Sequence, residues 1–345
     1  MIMKYAILYN PGHNRVYYET SLKLSEAEFA VVSQSLSSKC ENVQNMAICG
    51  IDYLMFETDK ELTDNDIKIL FDLSFIYALF EVDNIDGEYH LIPQPKLRES
   101  FIDEGISSML KYTGKTNEIF TRMMINLAVY SSKYRENIKL LDPIAGKGTT
   151  LYEGLVKGYD VYGIEIGDTV VNESQNFVKR YLENAKYKFS YSSNKLTDPD
   201  KTYSAVRHTF ETSPNKDDFK ANNTKTIEII SGNSMFANKY YKKNTFDVIV
   251  GDLPYGVQHG NVTNQKQSSL TRNPAELLDV CLPVWAEVLK TGGVMVLAWN
   301  SNVLPRHKAE AIAEKHGLKV RNTEISFEHR VDQSILRDIL IIEKV

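Results

Sequence analysis

At 345 residues the chain can bury more than one core, and its 43% hydrophobic and 25% charged residues suit a globular protein rather than a fibrous or disordered one. Cys40, Cys49 and Cys281 lie far apart without CxxC spacing, which argues against a disulfide framework or a zinc cluster and suits a reducing cytoplasm. The net charge of -5 argues against a uniformly basic nucleic-acid binder, but it averages two unlike regions. Residues 1–105 hold 8 Lys/Arg against 18 Asp/Glu, a net of -10, while residues 179–243 hold 13 against 7, a net of +6. Tyr and Phe are interleaved there, in YKFSY and KTYSAVRHTF, so a polyanion should meet this middle segment; its plainer reading is a solvated insertion. The start, MIMKYAILYNPG, has no long apolar core with basic flanks, and no stretch approaches about 18 consecutive apolar residues, so neither secretion nor a membrane span is expected.

Along the chain, KYAILY reads as a strand and LKLSEAEFAVVSQSL as an amphipathic helix with Ser25 as N-cap. MAICGIDYLMFET reads as one strand. TDNDIKILFDLSFIYALFEV begins at a capping Thr63 or Asp64 and continues as a helix that can run into a strand. Residues 1–95 therefore form a small α+β domain, and IPQPKLRES, with Pro93 and Pro95, reads as the linker. From residue 96 to 345 apolar strands alternate with helices, the pattern of a largely parallel α/β sheet covered on both faces. Seven strands are expected, at 138–142, 159–165, 226–230, 246–250, 293–299, 318–327 and 335–343, with helices at 116–130, 149–157, 168–184, 274–290 and 306–316. The last two strands have no helix between them and should pair antiparallel at the sheet edge. The polar stretch 184–225 interrupts the alternation and reads as a flap, a hairpin or a disordered loop.

KLLDPIAGKGTTLYEG places Gly146 and Gly148 between a strand and a helix, where amides at the helix start can receive a carboxylate or phosphate. Leu151 stands where a dinucleotide fingerprint has its third glycine, and the GK[ST] ending of a P-loop is missing. Asp142 and Glu165, at the ends of successive strands, are sharper clues, because a carboxylate there can accept both hydroxyls of a ribose. The alternative is a tight strand–helix turn with two exposed acids.

DPIAGKGTTLYEG followed by YGIEI resembles the cofactor motifs of class I S-adenosylmethionine-dependent methyltransferases. The resemblance implies their Rossmann-like fold and S-adenosylmethionine as cofactor, with the loop from Asp142 to Gly148 cradling the methionine portion. Pro143, Ala145, Thr149 and Ile166 would join that site, with Glu165 on the ribose. Where many relatives have an Asp near adenine, this chain has SGNSMF, so Asn233 is the substitute candidate.

DLPYG, at the end of an apolar run, resembles the (D/N)PP(Y/F) motif of methyltransferases acting on exocyclic amines of bases. Such an amine is a poor nucleophile because its lone pair is delocalised, so the site must orient it toward the methyl donor. Asp252 and the carbonyl of Leu253 can accept its two N–H bonds, Tyr255 can stack on the base, and Pro254 fixes the turn. Leu253 replaces the first proline of the motif; only its carbonyl is needed, so activity is expected to survive. DLPYGVQHG most resembles the DPPYG(V/I)R-type segment of tRNA guanine-N2 methyltransferases, with Gln258 in place of Arg. KYTGKTNEIFTRMMINLA reads as the helix that closes over the methionine end in that family, which makes Thr116, Asn117 and Phe120 further candidates.

Relatives acting on tRNA place a THUMP module, preceded by a ferredoxin-like domain, ahead of the catalytic domain; about 95 residues leave room for the ferredoxin-like part alone. The resemblance thus implies an RNA methyltransferase, with tRNA as partner and guanine N2 as target. Methylation of adenine or cytosine amines in DNA is the alternative enzyme, and an S-adenosylmethionine-binding protein without catalysis the alternative of another class. No metal is expected, since His208, His259, His307, His316 and His329 are scattered.

Overall fold

A computed structural model describes residues 2–10, 18–97, 99–109, 115–254 and 273–345. The chain divides into two compact units, 1–99 with 325–327, and 100–324 with 328–345.

In the first unit, β1 (Met3–Tyr9), α1 (Tyr18–Val32), β2 (Cys40–Ile48), β3 (Ile51–Thr58), α2 (Asp64–Leu70), β4 (Ile76–Ile85) and β5 (Glu88–Pro93) build an antiparallel sheet of order β2-β3-β1-β4-β5. The βαββαβ succession with β1 between β3 and β4 is the ferredoxin-like arrangement, extended by β5 on β4. Thr63 caps α2 in a reciprocal box with Asp66. Two expectations change here. Ser25 lies inside α1, where its hydroxyl donates to the carbonyl of Ser21 one turn back instead of capping. MAICGIDYLMFET is two strands, because Cys49 and Gly50, with φ of 52° and 79°, form a left-handed two-residue turn that pairs Ile48 with Ile51.

The second unit runs α3 (Gly105–Met109), α4 (Glu118–Ser131), β6 (Lys139–Asp142), α5 (Thr149–Val156), β7 (Asp160–Glu165), α6 (Asp168–Asn184), β8 (Lys188–Thr197), β9 (Ser204–Ser213), α7 (Lys216–Lys220), β10 (Lys225–Ser231), α8 (Ala237–Tyr240), β11 (Phe246–Asp252), α9 (Pro274–Val288), β12 (Leu289–Asn300), α10 (Arg306–Lys315), β13 (Lys319–Arg321), β14 (His329–Arg330) and β15 (Leu336–Glu343). Its sheet has the order β13-β15-β12-β11-β6-β7-β10-β9-β8, with β14 paired to β15. Pairing is parallel from β12 through β10, and β15 runs antiparallel between β12 and β13. This is the mixed α/β, Rossmann-like class expected from the alternation.

The stretch 184–225 contains the hairpin β8–β9, laid antiparallel on β10, followed by the single turn of α7. Only Lys319–Arg321 of the expected strand at 318–327 is extended, since Asn322, at φ 53°, turns the chain out of the sheet. The central strands are apolar on both faces because helices cover both: Leu140, Leu141, Val248, Ile249, Val250 and Val296 are fully buried. Arg122 on α4 donates from Nε to Glu153 on α5 at 2.9 Å, a pairing that offsets the desolvation of the buried Glu153.

Close packing of α5 on the sheet makes Gly163 in β7 irreplaceable. A Cβ there would lie 2.9 Å from both the Ala145 Cβ and a Leu151 methyl. Gly163→Ala is expected to cost about 1–3 kcal/mol by overpacking, read as a lower urea midpoint; an unchanged midpoint would show that the loop after β6 yields freely.

Candidate active site

Five parallel strands end on one edge, and three of them, adjacent in the order β11-β6-β7, end in a carboxylate: Asp252, Asp142 and Glu165. Between them opens a cavity of about 430 Å³, lined by Thr116, Asp142, Ala145, Gly146, Thr149, Glu165, Asp252, Leu253 and Pro254 among the residues anticipated from sequence. That volume lies within the range of small-molecule sites.

The loop after β6 is held to the sheet by its own amides. Ala145 N–H donates to the Ile164 carbonyl at 2.9 Å, and Gly146 N–H to Glu165 Oε2 at 3.1 Å. Gly146 has a φ of 51°, a left-handed geometry that glycine adopts without penalty. Gly148, at φ 94°, is the N-cap of α5; a Cβ there would meet the Tyr152 ring at 3.0 Å. The Tyr152 hydroxyl donates to the Lys147 carbonyl at 2.7 Å, which ties the loop to its helix.

Asp142 is 3% exposed, and its Oδ1 accepts from Ile144 N–H at 3.0 Å. Burial, with the nearby Asp252 and Glu165 charges adding to it, pushes its carboxyl up to about 7 despite the hydrogen bonds from Thr150 and Ile144. Glu165 is raised too, by desolvation, against the backbone donors Gly167, Gly146 and Ile166. Its Oε1 accepts from Gly167 N–H at 2.8 Å, and a carboxylate with two such bonds keeps lone pairs for further donors. Asp252 Oδ2 accepts from the Thr116 hydroxyl at 2.8 Å and lies 3.7 Å from Arg337 Nη2. Leu253, 1% exposed, donates its N–H to the Ala298 carbonyl at 2.8 Å, so the pairing with β12 continues one residue past Asp252.

Not every anticipated residue lines the cavity. Pro143 and Gly148 shape the loop behind it. Ile166 points to solvent, 46% exposed, because the residue after a strand-end carboxylate faces the other way. Asn233 spends its Oδ1 on Met235 N–H at 3.0 Å, capping the turn after β10. Asn117 is likewise a cap, for α4, accepting from Ile119 and Phe120 N–H. Phe120 is buried against the His329 ring and under the Arg337 guanidinium. Tyr255, Gly256, Gln258 and His259 lie outside the described residues. Ile144 and Lys147, inside the loop assigned from sequence, also line the cavity, whereas Thr121, Met124, Thr150 and Val170, which complete the lining, and Arg337 beside Asp252 were passed over. Lys147 was visible inside the glycine loop; Arg337, on the last strand, had no local signature.

The family model "UPF0020: RMKL-like, methyltransferase domain" matches residues 114–330, more than half of the chain and all three strand-end carboxylates. The chain belongs to this methyltransferase family. It is accordingly a class I S-adenosylmethionine-dependent methyltransferase, with S-adenosylmethionine as its cofactor. No curated protein matches the chain. Among solved structures it is similar to a provisionally named RNA methyltransferase from Pyrococcus horikoshii, at 14% identity over 70% of this chain and 96% of that one, with a TM-score of 0.39. It is also similar to a ribosomal protein L11 methylase from Lactobacillus delbrueckii subsp. bulgaricus (13%, 66% and 79%, TM-score 0.36). A third is a provisionally named methyltransferase from Streptococcus mutans in complex with SAH (14%, 61% and 89%, TM-score 0.31).

The cavity suits this cofactor on its own chemistry. Three carboxylates line the cavity, and burial raises Asp142 and Glu165, so a sulfonium or an ammonium placed among them would favour their ionised forms; Lys147, in the same lining, is paired with Glu173 at 2.5 Å. Among the described residues no group of three or more His, Cys, Asp or Glu is placed to hold a metal ion, and no helix is long and apolar enough to cross a membrane.

The raised carboxyl of Asp142 fixes the sign of a pH effect. Free protein keeps a proton there up to about 7 that the unfolded chain releases near 3.8, so this group's contribution to stability is present below that lower value and is lost as pH rises toward about 7. A cationic cofactor binds the ionised form, so affinity should rise roughly five- to tenfold between about pH 6 and pH 7.5 in wild type and less in Asp142→Asn. Calorimetric titration of both proteins with S-adenosylmethionine checks this, and parallel pH profiles would refute it.

Proposed function

We propose that the protein methylates an exocyclic amine of a nucleic-acid base, guanine N2 in tRNA, working in the cytoplasm. The observation carrying this reading is that Asp252, Leu253 and Pro254 line the same cavity as the glycine loop and Glu165, with Asp252 already held by the Thr116 hydroxyl. A site for cofactor binding alone would have no use for an oriented acid followed by DLPYG's proline there.

When bound, S-adenosylmethionine supplies an electrophilic methyl group. Glu165 accepts the ribose hydroxyls, and the loop from Asp142 to Gly148, with Thr149 beside it, holds the methionine portion. Asp252 and the Leu253 carbonyl accept the amine's N–H bonds, which aims its lone pair and fixes the ring. Tyr255 stacks on the base. The proton shed after transfer goes to Asp252 or to solvent. Buried, well-packed Leu253 performs in this reading what proline does in DPPY, since the hydrogen bond its N–H donates to the Ala298 carbonyl fixes the peptide without a ring constraint.

The preference for tRNA guanine N2 rests on the resemblance of DLPYGVQHG. The polyanion would be met by the basic middle segment, where Lys188 and Lys195 stand exposed on β8. The same hairpin could serve recognition of DNA, with adenine or cytosine amines as targets. Methyl-labelled S-adenosylmethionine, offered to unmodified RNA and DNA pools that are then digested to nucleosides, separates the two. Label in N2-methylguanosine is expected; label in N6-methyladenine or N4-methylcytosine of DNA would replace the base and the family resemblance while keeping the chemistry.

Two variants test the division of labour. Asp252→Ala should lower kcat by about 100-fold or more and change cofactor Kd by less than roughly threefold, whereas Glu165→Ala should chiefly raise cofactor Kd. Equal loss of cofactor affinity in both would contradict these roles.

A further inference from the structure

Arg337 lies on β15, beyond the 114–330 span of the family match, yet its guanidinium stands beside Asp252, which lines the cavity. Its position follows from register: Arg337 pairs with Asn300 on β12, and Asp252 pairs with Ala298, two residues earlier on that same strand. Both side chains therefore emerge at the carboxyl edge of the sheet. Arg337 is 7% exposed, its Nη2 lies 3.7 Å from Asp252 Oδ2, and its guanidinium sits 4.4 Å over the Phe120 ring. The His329 ring packs on Phe120 at 5.2 Å, and His329 pairs with Arg337 across β14 and β15.

Accordingly we infer that Arg337 is the positioning residue for Asp252: it fixes the pose of the carboxylate that receives the acceptor amine, and Phe120 serves as the platform that fixes Arg337. The inference rests on the reading of Asp252 as the amine-holding group. Three physical points support it. Asp252 shares its cavity with two other carboxylates, whose repulsion would swing a singly held side chain away from the methyl-donor site, and a buried guanidinium opposes that. The Thr116 hydroxyl, from the segment before α4, and the Arg337 guanidinium, from β15, both approach Oδ2, and together they restrict the carboxylate more than either does alone. A guanidinium stacked over an aromatic face holds its plane as well as its charge, which an ammonium does not. Phe120, expected from sequence to face the cofactor, thereby gains a role one layer behind it.

The test is a double-mutant cycle in the full-length protein with Arg337→Met, Arg337→Lys, Asp252→Asn and the Arg337→Met/Asp252→Asn pair. Melting temperature and single-turnover methyl transfer to whichever nucleic-acid pool wild type labels are both measured. Arg337→Met is expected to lower the transfer rate about 10- to 100-fold with an acceptor KM changed less than roughly threefold, and Arg337→Lys to recover part of that loss. In the Asp252→Asn background the same Arg337→Met change should cost less than about threefold, since Arg337 acts through Asp252; losses that multiply, or a loss confined to KM, would overturn the inference. The melting temperatures judge the pair without any acceptor. The double variant should melt no lower than the less stable single variant, and additive lowering would reject the pairing. If wild type labels no nucleic acid while the melting cycle still shows coupling, the proposed substrate falls and the Arg337–Asp252 pairing stands.

Discussion

Parallel strands deliver their last residues to one edge, and in this sheet three neighbouring strands deliver a carboxylate there. Burial works against the ionised forms of Asp142 and Glu165, and at Asp142 the neighbouring Asp252 and Glu165 charges add to it. Backbone N–H groups of Ile144, Gly146 and Gly167 point at Asp142 and Glu165. Those dipoles only partly offset burial, as the upward shift of both groups shows. A cation in the cavity would favour the ionised forms of both groups. A sulfonium cofactor is such a cation, and the same field disfavours a simple polyphosphate, for which glycine loops of other folds are adapted.

The third carboxylate is treated differently, and the difference matches a different task. Asp252 has side-chain partners drawn from opposite parts of the chain: the Thr116 hydroxyl, 136 residues earlier, and Arg337 from the final strand. Thr116 is itself placed by α4, whose first turn is capped by Asn117 and whose body is tied to α5 through Arg122 and Glu153. Side-chain partners can be arranged to fix a pose, while backbone amides follow wherever the loop goes. The loop acids are therefore suited to holding a ligand, and Asp252 to orienting one reacting group.

This contrast also explains what the sequence made legible. Strand-end acids next to a glycine loop or a proline turn are local patterns, so Asp142, Glu165 and Asp252 stood out, as did the α/β alternation. Asn117 and Asn233 stood out for the same local reason, but their side chains are consumed as caps, a competing use that short polar residues after a strand or loop often have. Phe120 shows the limit of placing a residue on a helix without knowing its rotation, since the helix turns it toward β14 and β15. Arg337 shows the other limit. Its meaning comes from strand order, with β15 inserted between β13 and β12, and no window of sequence contains that. Where strands end was equally hidden at 318–327, because an asparagine in the left-handed region stops β13 after three residues.

The basic middle segment illustrates the same point for charge. Its net of +6 is a sum over residues with separate fates once the hairpin β8–β9 forms on β10. Arg207 is not part of any outward field: it is bound to Glu228 at 3.1 Å, lies 5.6 Å over the Tyr241 ring and donates to the Tyr240 carbonyl at 2.6 Å. Glu228 is correspondingly buried, so that pair contributes to the packing of β9 against β10 rather than to long-range attraction. On β8, by contrast, Lys188 and Lys195 are exposed at the outer edge of the sheet, where lysines also guard an unpaired strand against edge-to-edge association. The segment's exposed cations thus lie outside the inner strand's Arg207: Lys188 and Lys195 on the outer strand, Lys216 and Lys220 on α7, and others such as Lys179, Arg180 and Lys186 ahead of the hairpin.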